Sequence, residues 1–386
     1  MSRGSSGSLV TSTPTLFGGL DADPGPASIA PLRGFASLAA MEPRLRVAVI
    51  GTGSLGKEHA RIYADLASSR DVTFAGVFDT SSEAARVVAE KHDVQAFTSL
   101  EQAADAADAF SIVTPTSTHF TTARMLLERG RHVLVEKPMT DNAADATALV
   151  ELARTRGGVL QVGHVERFNP VFQRLQEMAP EPRFIEAHRL SPFPARSTDI
   201  GVVLDLMIHD LDIILAFVKA PVVGFDAVGI PVLSKSEDIA NVRLRFANGC
   251  IANVTASRVS TERLRKIRVF SGGTQPAYVS LDYRAQTGYV LRLAKGDEKE
   301  SSLFKKLLHA RDSSIVVEYA GKRIVREPVP IDKEEPLKLE LRAFVRCVTE
   351  KNTPLVSGEA AKRALDLAFA ITQQIEMQTP AGFTAL

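Results

Sequence analysis

Apolar residues in the first half of this chain follow two patterns that take turns. Short, nearly continuous apolar runs at Leu45–Ile50, Val72–Phe78, Ala109–Val113, His132–Val135 and Val159–Val162 read as strands buried on both faces. Between them apolar side chains return with the helical period, as through His59, Ile62, Tyr63 and Leu66. Helices over 82–92, 100–107 and 141–154 and a short strand at 95–97 continue the alternation. It predicts an α/β domain over residues 45–165, built on a doubly wound parallel sheet.

A second pattern governs residues 166–386. Gly201–Phe217 is apolar nearly all round and reads as a buried helix. From Val222 the period becomes two: Ala240, Val242, Leu244 and Phe246 alternate with Asn241, Arg243 and Arg245, a turn falls at Asn248-Gly249, and Ala252, Val254 and Ala256 resume. Further strand-like runs lie at 267–270, 278–283, 289–293 and 315–319. The expectation is an α+β domain with a large, mainly antiparallel open sheet, one face on helices and the other free for a second copy. Residues 295–306 read as a charged loop, and 336–349 and 357–377 as closing helices that pack back on the first domain.

Residues 1–44 show no apolar period and are rich in Ser, Gly, Pro and Thr, so a disordered extension is expected, with Met41 as an alternative start. They lack the basic start and apolar core of a secretory signal. Across 386 residues, 46 basic and 45 acidic side chains leave a net charge of +1, which excludes a polyanion field for nucleic acid. Four ionisable residues near the centre of 201–217 exclude a membrane span there. Cys250 and Cys347 form no CxxC pair and fit a reduced, cytoplasmic protein.

The candidate chemistry sits where these elements end. Gly51-Thr52-Gly53-Ser54-Leu55-Gly56 is a GxGxxG turn between a strand and a helix, the setting that binds a dinucleotide pyrophosphate. Asp79 closes the second strand, where an acid accepts the ribose hydroxyls and repels a 2′-phosphate, so NAD is expected rather than NADP; a plain turn residue is the other reading. Thr114-Pro115-Thr116 and His119 either line the nicotinamide side or form a loop in which Ser117 or Thr118 caps a helix. Glu136-Lys137-Pro138 ends the fifth expected strand with two opposite charges. In the later helix Asp205, His209 and Asp212 fall at i, i+4 and i+7 on one stripe. That stripe admits a satisfied core histidine, a metal pair or a catalytic base, and no other His, Cys and Asp cluster has ligand spacing, so no metal is expected.

Together these motifs resemble the glucose-fructose oxidoreductase, inositol dehydrogenase and MocA family, over about residues 45–378. The likeness rests on the glycine turn with His59 and Arg61, on Glu136-Lys137-Pro138, on Asp205-xxx-His209 and on Val356-Ser-Gly-Glu359. It implies an NAD-dependent oxidoreductase in which Lys137, Asp205 and His209 meet at the sugar carbon, often with a cis bond before Pro138. His209 is then the base, oriented by Asp205, and Lys137 stabilises alkoxide charge. Where the family commonly shows two glycines before the Asp-xxx-His helix, only Gly201 stands here. Within the family, Gly163–Pro170 and Asp205–Asp212 look most like the UDP-N-acetylglucosamine 3-dehydrogenases, whose 3-keto product feeds a pyridoxal-phosphate aminotransferase. Arg167, Asn169, Arg189 and Arg196 are the expected substrate contacts, and a homodimer or homotetramer is implied. A free-sugar or inositol dehydrogenase and a non-catalytic NAD(H) sensor are the alternatives.

Overall fold

Six of the apolar segments form one parallel sheet in the computed structural model, which describes residues 44–193, 200–273, 276–294, 314–319 (main chain only) and 321–378. Strands β1 (Arg46–Ile50), β2 (Thr73–Phe78), β3 (Gln95–Ala96), β4 (Ala109–Ile112), β5 (His132–Glu136) and β6 (Leu160–Gly163) lie in the order β3-β2-β1-β4-β5-β6. Every neighbouring pair is parallel.

Because side chains alternate across a strand, the sheet feeds two cores. Val47 and Val49 pack with Ile62, Leu66 and Val88 of α1 (Ser54–Ser68) and α2 (Ser82–His92). Ala48 and Ile50 face the other way, toward Ala103 of α3 (Leu100–Ala106), Leu126 of α4 (His119–Glu128) and Leu149 of α5 (Ala143–Arg156). The strand order reverses between β1 and β4, so their carboxyl ends open the crevice where such sheets bind ligands.

The remaining strands form a nine-stranded sheet in the order β14-β15-β13-β12-β11-β7-β10-β9-β8. They are β7 (Pro182–Leu190), β8 (Val222–Ile230), β9 (Ile239–Phe246), β10 (Ile251–Ser257), β11 (Leu264–Ser271), β12 (Ala277–Asp282), β13 (Thr287–Leu293), β14 (Ser314–Tyr319) and β15 (Lys322–Pro328). Only the β7–β10 pair is parallel among these ladders. The alternation expected in β9 is observed, with Ala240, Val242, Leu244 and Phe246 buried and the intervening residues exposed.

The buried face rests on α7 (Ile208–Val218), which continues a π turn at Val203–Met207, and on the last helix, α9 (Gly358–Gln378). Helix α8 (Pro336–Glu350) returns to the first sheet, where Leu341 and Phe344 join Val47 and Val49.

Some local expectations change. Helix α5 opens at Ala143 rather than at 141, because the Asn142 side chain caps it by accepting the Asp145 amide at 2.8 Å. Neither Ser117 nor Thr118 caps α4: the Thr118 hydroxyl donates back to Pro115 O and to Thr114 Oγ1. Strands β7 and β15 and helix α6 (Pro170–Met178) had no clear period in the sequence. The expected extension up to residue 43, the 295–306 loop and Arg196 lie outside the described residues. Among those described, no helix is long and apolar enough to cross a membrane, and no group of three His, Cys, Asp or Glu side chains is placed to hold a metal ion.

Candidate active site

The glycine turn leaves β1 under tight steric control. Gly51 has φ +95°, donates its amide to Phe78 O at 2.7 Å, and a Cβ there would fall 2.3 Å from Val113 O. A Cβ on Gly56 would fall 2.0 Å from Gly51 O, so the start of α1 sits directly on the turn. Gly53 differs, because nothing lies within 4 Å of its absent Cβ. Asp79 Oδ2 accepts from the amide and hydroxyl of Thr52 at 2.7 and 2.9 Å, and its Oδ1 accepts from the Ser81 amide. Partial burial would raise this carboxyl, but the Thr52 and Ser81 donors outweigh it and hold the group below its usual range. Asp79 therefore stands ionised beside the turn.

Thr114-Pro115-Thr116 leave β4 at the facing edge of the crevice. His119 is buried behind them, with its ring nitrogens 2.9 Å from Pro138 O and 2.9 Å from Thr114 O. Burial outweighs these carbonyls and lowers the imidazole from its ordinary value. The neutral ring can donate to only one of these two carbonyls at a time; it packs between the 114–116 turn and the end of β5 and does not line the cleft.

At that end the Lys137-Pro138 bond is cis. Lys137 Nζ donates to the main-chain oxygen of Asp205 at 2.6 Å and approaches its carboxylate at 3.2 Å. Glu136 lies 3.2 Å from His59 Nε2, and its carboxylate occupies the space that a Cβ on Gly163 would need. His209, in the first turn of α7, stands edge-on to His164 with ring centroids 6.2 Å apart, and its Nδ1 is buried with no hydrogen-bond partner. Burial first, then Lys137 and Arg189, push His209 well below the ordinary imidazole value. It is a neutral base at neutral pH.

One detail departs from expectation. Asp205 turns to Lys137, and no hydrogen bond joins it to His209 among the described residues. The extra residue of the π turn breaks the α-helical i, i+4 stacking that the sequence spacing implied. The third member of the stripe, Asp212, meets Arg167 at 3.3 Å.

The single glycine before this helix also finds its reason. A Cβ on Gly201 would lie 1.9 Å from the Glu237 carboxylate, which accepts the Val203 amide at 3.1 Å. Arg258, paired with Asp238 at 2.7 Å, donates to Ile200 O at 2.6 Å.

A cleft of about 440 Å³ joins Glu136, Lys137 and His209 to Glu166, Asn169, Arg265, Tyr283, Arg284 and Gln286. The last three and Arg265 were missed in the sequence. They lie at or just beyond the ends of β11 and β12, aligned by the Tyr283 amide donating to Arg265 O at 2.8 Å. Of the expected contacts, Arg189 is buried and held by Asp210 and Glu166. Arg167 is spent on Asp212 and Leu355 O over the Phe172 ring. Asn169 caps α6 and donates to Glu166 and Tyr283 O, so it shapes the wall it lines.

A glycine turn at a crevice, with a lysine and a neutral histidine lining one cleft beside it, defines a dinucleotide-dependent oxidoreductase. Residues 45–164 match the model described as "Oxidoreductase family, NAD-binding Rossmann fold", and residues 180–274 match the GFO/IDH/MocA C-terminal domain. The chain belongs to the GFO/IDH/MocA oxidoreductase family, with NAD as its cofactor.

UDP-N-acetylglucosamine 3-dehydrogenase of Acidithiobacillus ferrooxidans is 35% identical over 333 residues, 86% of this chain and 97% of the relative. A solved structure of that enzyme superposes with TM-score 0.75 at 35% identity, covering 86% of this chain and 98% of that one. Myo-inositol 2-dehydrogenase of Thermotoga maritima is 25% identical over 351 residues, 86% of this chain and 96% of the relative.

Proposed function

We propose that the chain oxidises the 3-hydroxyl of UDP-N-acetylglucosamine to a ketone, with NAD accepting the hydride. The convergence of Lys137 and His209 in one cleft beside the glycine turn carries the reading. The relative at 35% identity supplies the substrate. His209 takes the hydroxyl proton, and Lys137, fixed by Asp205, stabilises negative charge on the oxygen. The ionised Asp79 favours NAD over NADP by repelling a 2′-phosphate.

Arg265 and Arg284 replace Arg167 and Arg189 as the residues for the substrate diphosphate. Both line the cleft, and the Arg284 side chain has no acceptor among the described residues, whereas Arg265 gives one nitrogen to Glu166 at 3.3 Å. The keto product is suited to a pyridoxal-phosphate aminotransferase. A second copy fits the solvent face of the large sheet, where Phe184, exposed Phe270 and Tyr278 make successive ring contacts across three strands.

The test is NADH absorbance with NAD and UDP-N-acetylglucosamine, beside myo-inositol, glucose and UDP-glucose, with an aminotransferase and amino donor added to draw off the ketone. Turnover of the UDP-amino sugar alone is expected. Turnover of inositol alone would replace the substrate and keep the assignment of Lys137 and His209. Bound NAD with no turnover of any compound would favour a sensor.

A further inference from the structure

Because Asp205 turns to Lys137, the aim of His209 depends on other side chains. The two acids that follow His209 in α7, Asp210 and Asp212, are both buried, and each is held by an arginine. Asp210 receives the Arg189 fork, Nε to Oδ2 at 2.8 Å and one terminal nitrogen to Oδ1 at 3.0 Å. Asp212 Oδ1 accepts from Arg167 at 3.3 Å. Both links lead to one place. Arg189, near the end of β7, gives its third nitrogen to Glu166 Oε1 at 3.1 Å, and Glu166 and Arg167 are neighbours in the short turn at Val165–Phe168 that follows His164.

That turn is thus clasped to the start of α7 twice, directly by Arg167 on Asp212 and through Arg189 by Glu166 and Asp210. His164 precedes the turn and His209 precedes both acids, and their rings meet edge-on at 87° with centroids 6.2 Å apart. Asn169 holds the other oxygen of Glu166, donating to Oε2 at 3.0 Å and to Tyr283 O at 3.0 Å. A buried ion pair seldom gains in stability what its desolvation costs. Two arginines and three acids buried around one helical turn therefore point to placement. A guanidinium that reaches two acids through three nitrogens fixes direction as well as distance.

We propose that Arg189 and Arg167 are positioning residues for His209, and that this double clasp performs the orienting role that the sequence spacing assigned to Asp205. The proposal rests on the reading of His209 as the base. His209 lines the cleft while its Nδ1 is buried without a partner, so Nε2 is the nitrogen turned toward the substrate. A small shift of the first turn of α7 would move that nitrogen off the hydroxyl, and a displacement of about 1 Å costs on the order of 10²-fold in rate. Neither arginine lines the cleft. They act on His209 through Asp210 and Asp212, and touch neither substrate nor cofactor.

The experiment uses the full chain with NAD and UDP-N-acetylglucosamine, and variants that leave each buried arginine or its replacement an acid. Asp210→Asn keeps the side-chain shape and leaves Arg189 on Glu166. It should lower kcat about 10-fold or more, with KM and NAD affinity close to those of the wild type. Arg189→Lys keeps the buried cation without the fork and should show the same split, so it carries the comparison if Asp210→Asn does not fold. A merely structural role predicts a lower melting temperature with kcat unchanged, and that result overturns the proposal. A crystal structure of Asp210→Asn with NAD reads the placement directly. The His209 ring should leave its edge-on contact with His164, and a ring in the wild-type pose overturns the proposal even where the rate has fallen. If the wild type does not oxidise this sugar, the substrate reading fails by itself, and the ring positions in the two crystal structures still decide the clasp.

Discussion

Lys137 Nζ holds two acceptors from one residue, the main-chain oxygen of Asp205 at 2.6 Å and its carboxylate at 3.2 Å. This contact spans 68 residues and fixes the end of β5 against the π turn before α7. The carboxylate supplies charge and the main-chain oxygen supplies position, so the two can be separated. Lys137→Met should lower kcat by about 10²- to 10³-fold, the usual cost of losing a preorganised oxyanion contact. Asp205→Asn keeps the main-chain acceptor and should lose less. Steady-state NADH production measures both, and a fully active Lys137→Met would remove the lysine from the mechanism.

The low-lying imidazole of His209 sets a pH profile. Because burial keeps its value well below the ordinary imidazole figure of about 6.5, the base form already predominates at neutral pH. Thus kcat/KM should be flat above about pH 6.5 and fall only in more acidic solution. His209→Asn should lose about 10²- to 10⁴-fold in kcat while calorimetry shows NAD binding retained. An acid limb centred above neutrality would contradict the assignment.

Stability should follow the same histidines. Burial lowers His119, His164 and His209 in the folded state, whereas in the unfolded chain each protonates near pH 6.5. Below that pH the unfolded state binds more protons, so stability falls as pH drops from about 6.5 toward the folded values, and these groups contribute no slope above it. Melting temperature against pH tests this, and His119→Gln, which removes one titrating group outside the cleft, should flatten the acid slope.

How far the sequence showed this site depends on whether its residues share a local pattern. The glycine turn, Asp79 and Glu136-Lys137-Pro138 were legible because each sits at the end of a strand whose period announces it. The helix with Asp205 and His209 was legible as a polar stripe on an apolar helix, but its π turn was not, so the side chain expected beside His209 points to Lys137 instead. Arg265 and Arg284 meet the cleft only through the pairing of β11 with β12. Nothing local marks such positions. Arg167 and Arg189 misled for the converse reason, since an arginine's partners cannot be read from its neighbours in sequence.

The two glycines of the turn should fail differently. Gly56→Ala places a methyl group 2.0 Å from Gly51 O, so it should destabilise the fold as well as weaken NAD binding. Gly53→Ala meets no protein atom within 4 Å, and its φ of −65° suits any residue. Its melting temperature should match the wild type while NAD affinity falls, because only the pyrophosphate needs the space. Calorimetric titration beside thermal unfolding separates the outcomes, and undiminished NAD affinity in Gly53→Ala would move the pyrophosphate away from this turn.

Arg258, which follows β10 directly, should also bear on the rate. Its side chain and that of Asp238 are both 0% exposed and meet at 2.7 Å, and it also donates to Ile200 O at 2.6 Å, just before the helix that carries Asp205 and His209. Removing one partner of a buried pair strands the other charge, so Arg258→Ala should cost about 3–5 kcal/mol in denaturant unfolding. Asp238 also accepts the amides of Val232, Leu233 and Ser234, so it cannot be exchanged for an apolar residue without stranding those donors. Arg258→Lys keeps a cation for Asp238 and should recover much of that stability, but it loses the planar fork that reaches Asp238 and Ile200 O together. The lysine variant should therefore fold well and still turn over more slowly than the wild type, with NAD affinity unchanged. If it regains both stability and full kcat, Arg258 serves the core alone and the start of the helix with Asp205 and His209 is held by Glu237 without it.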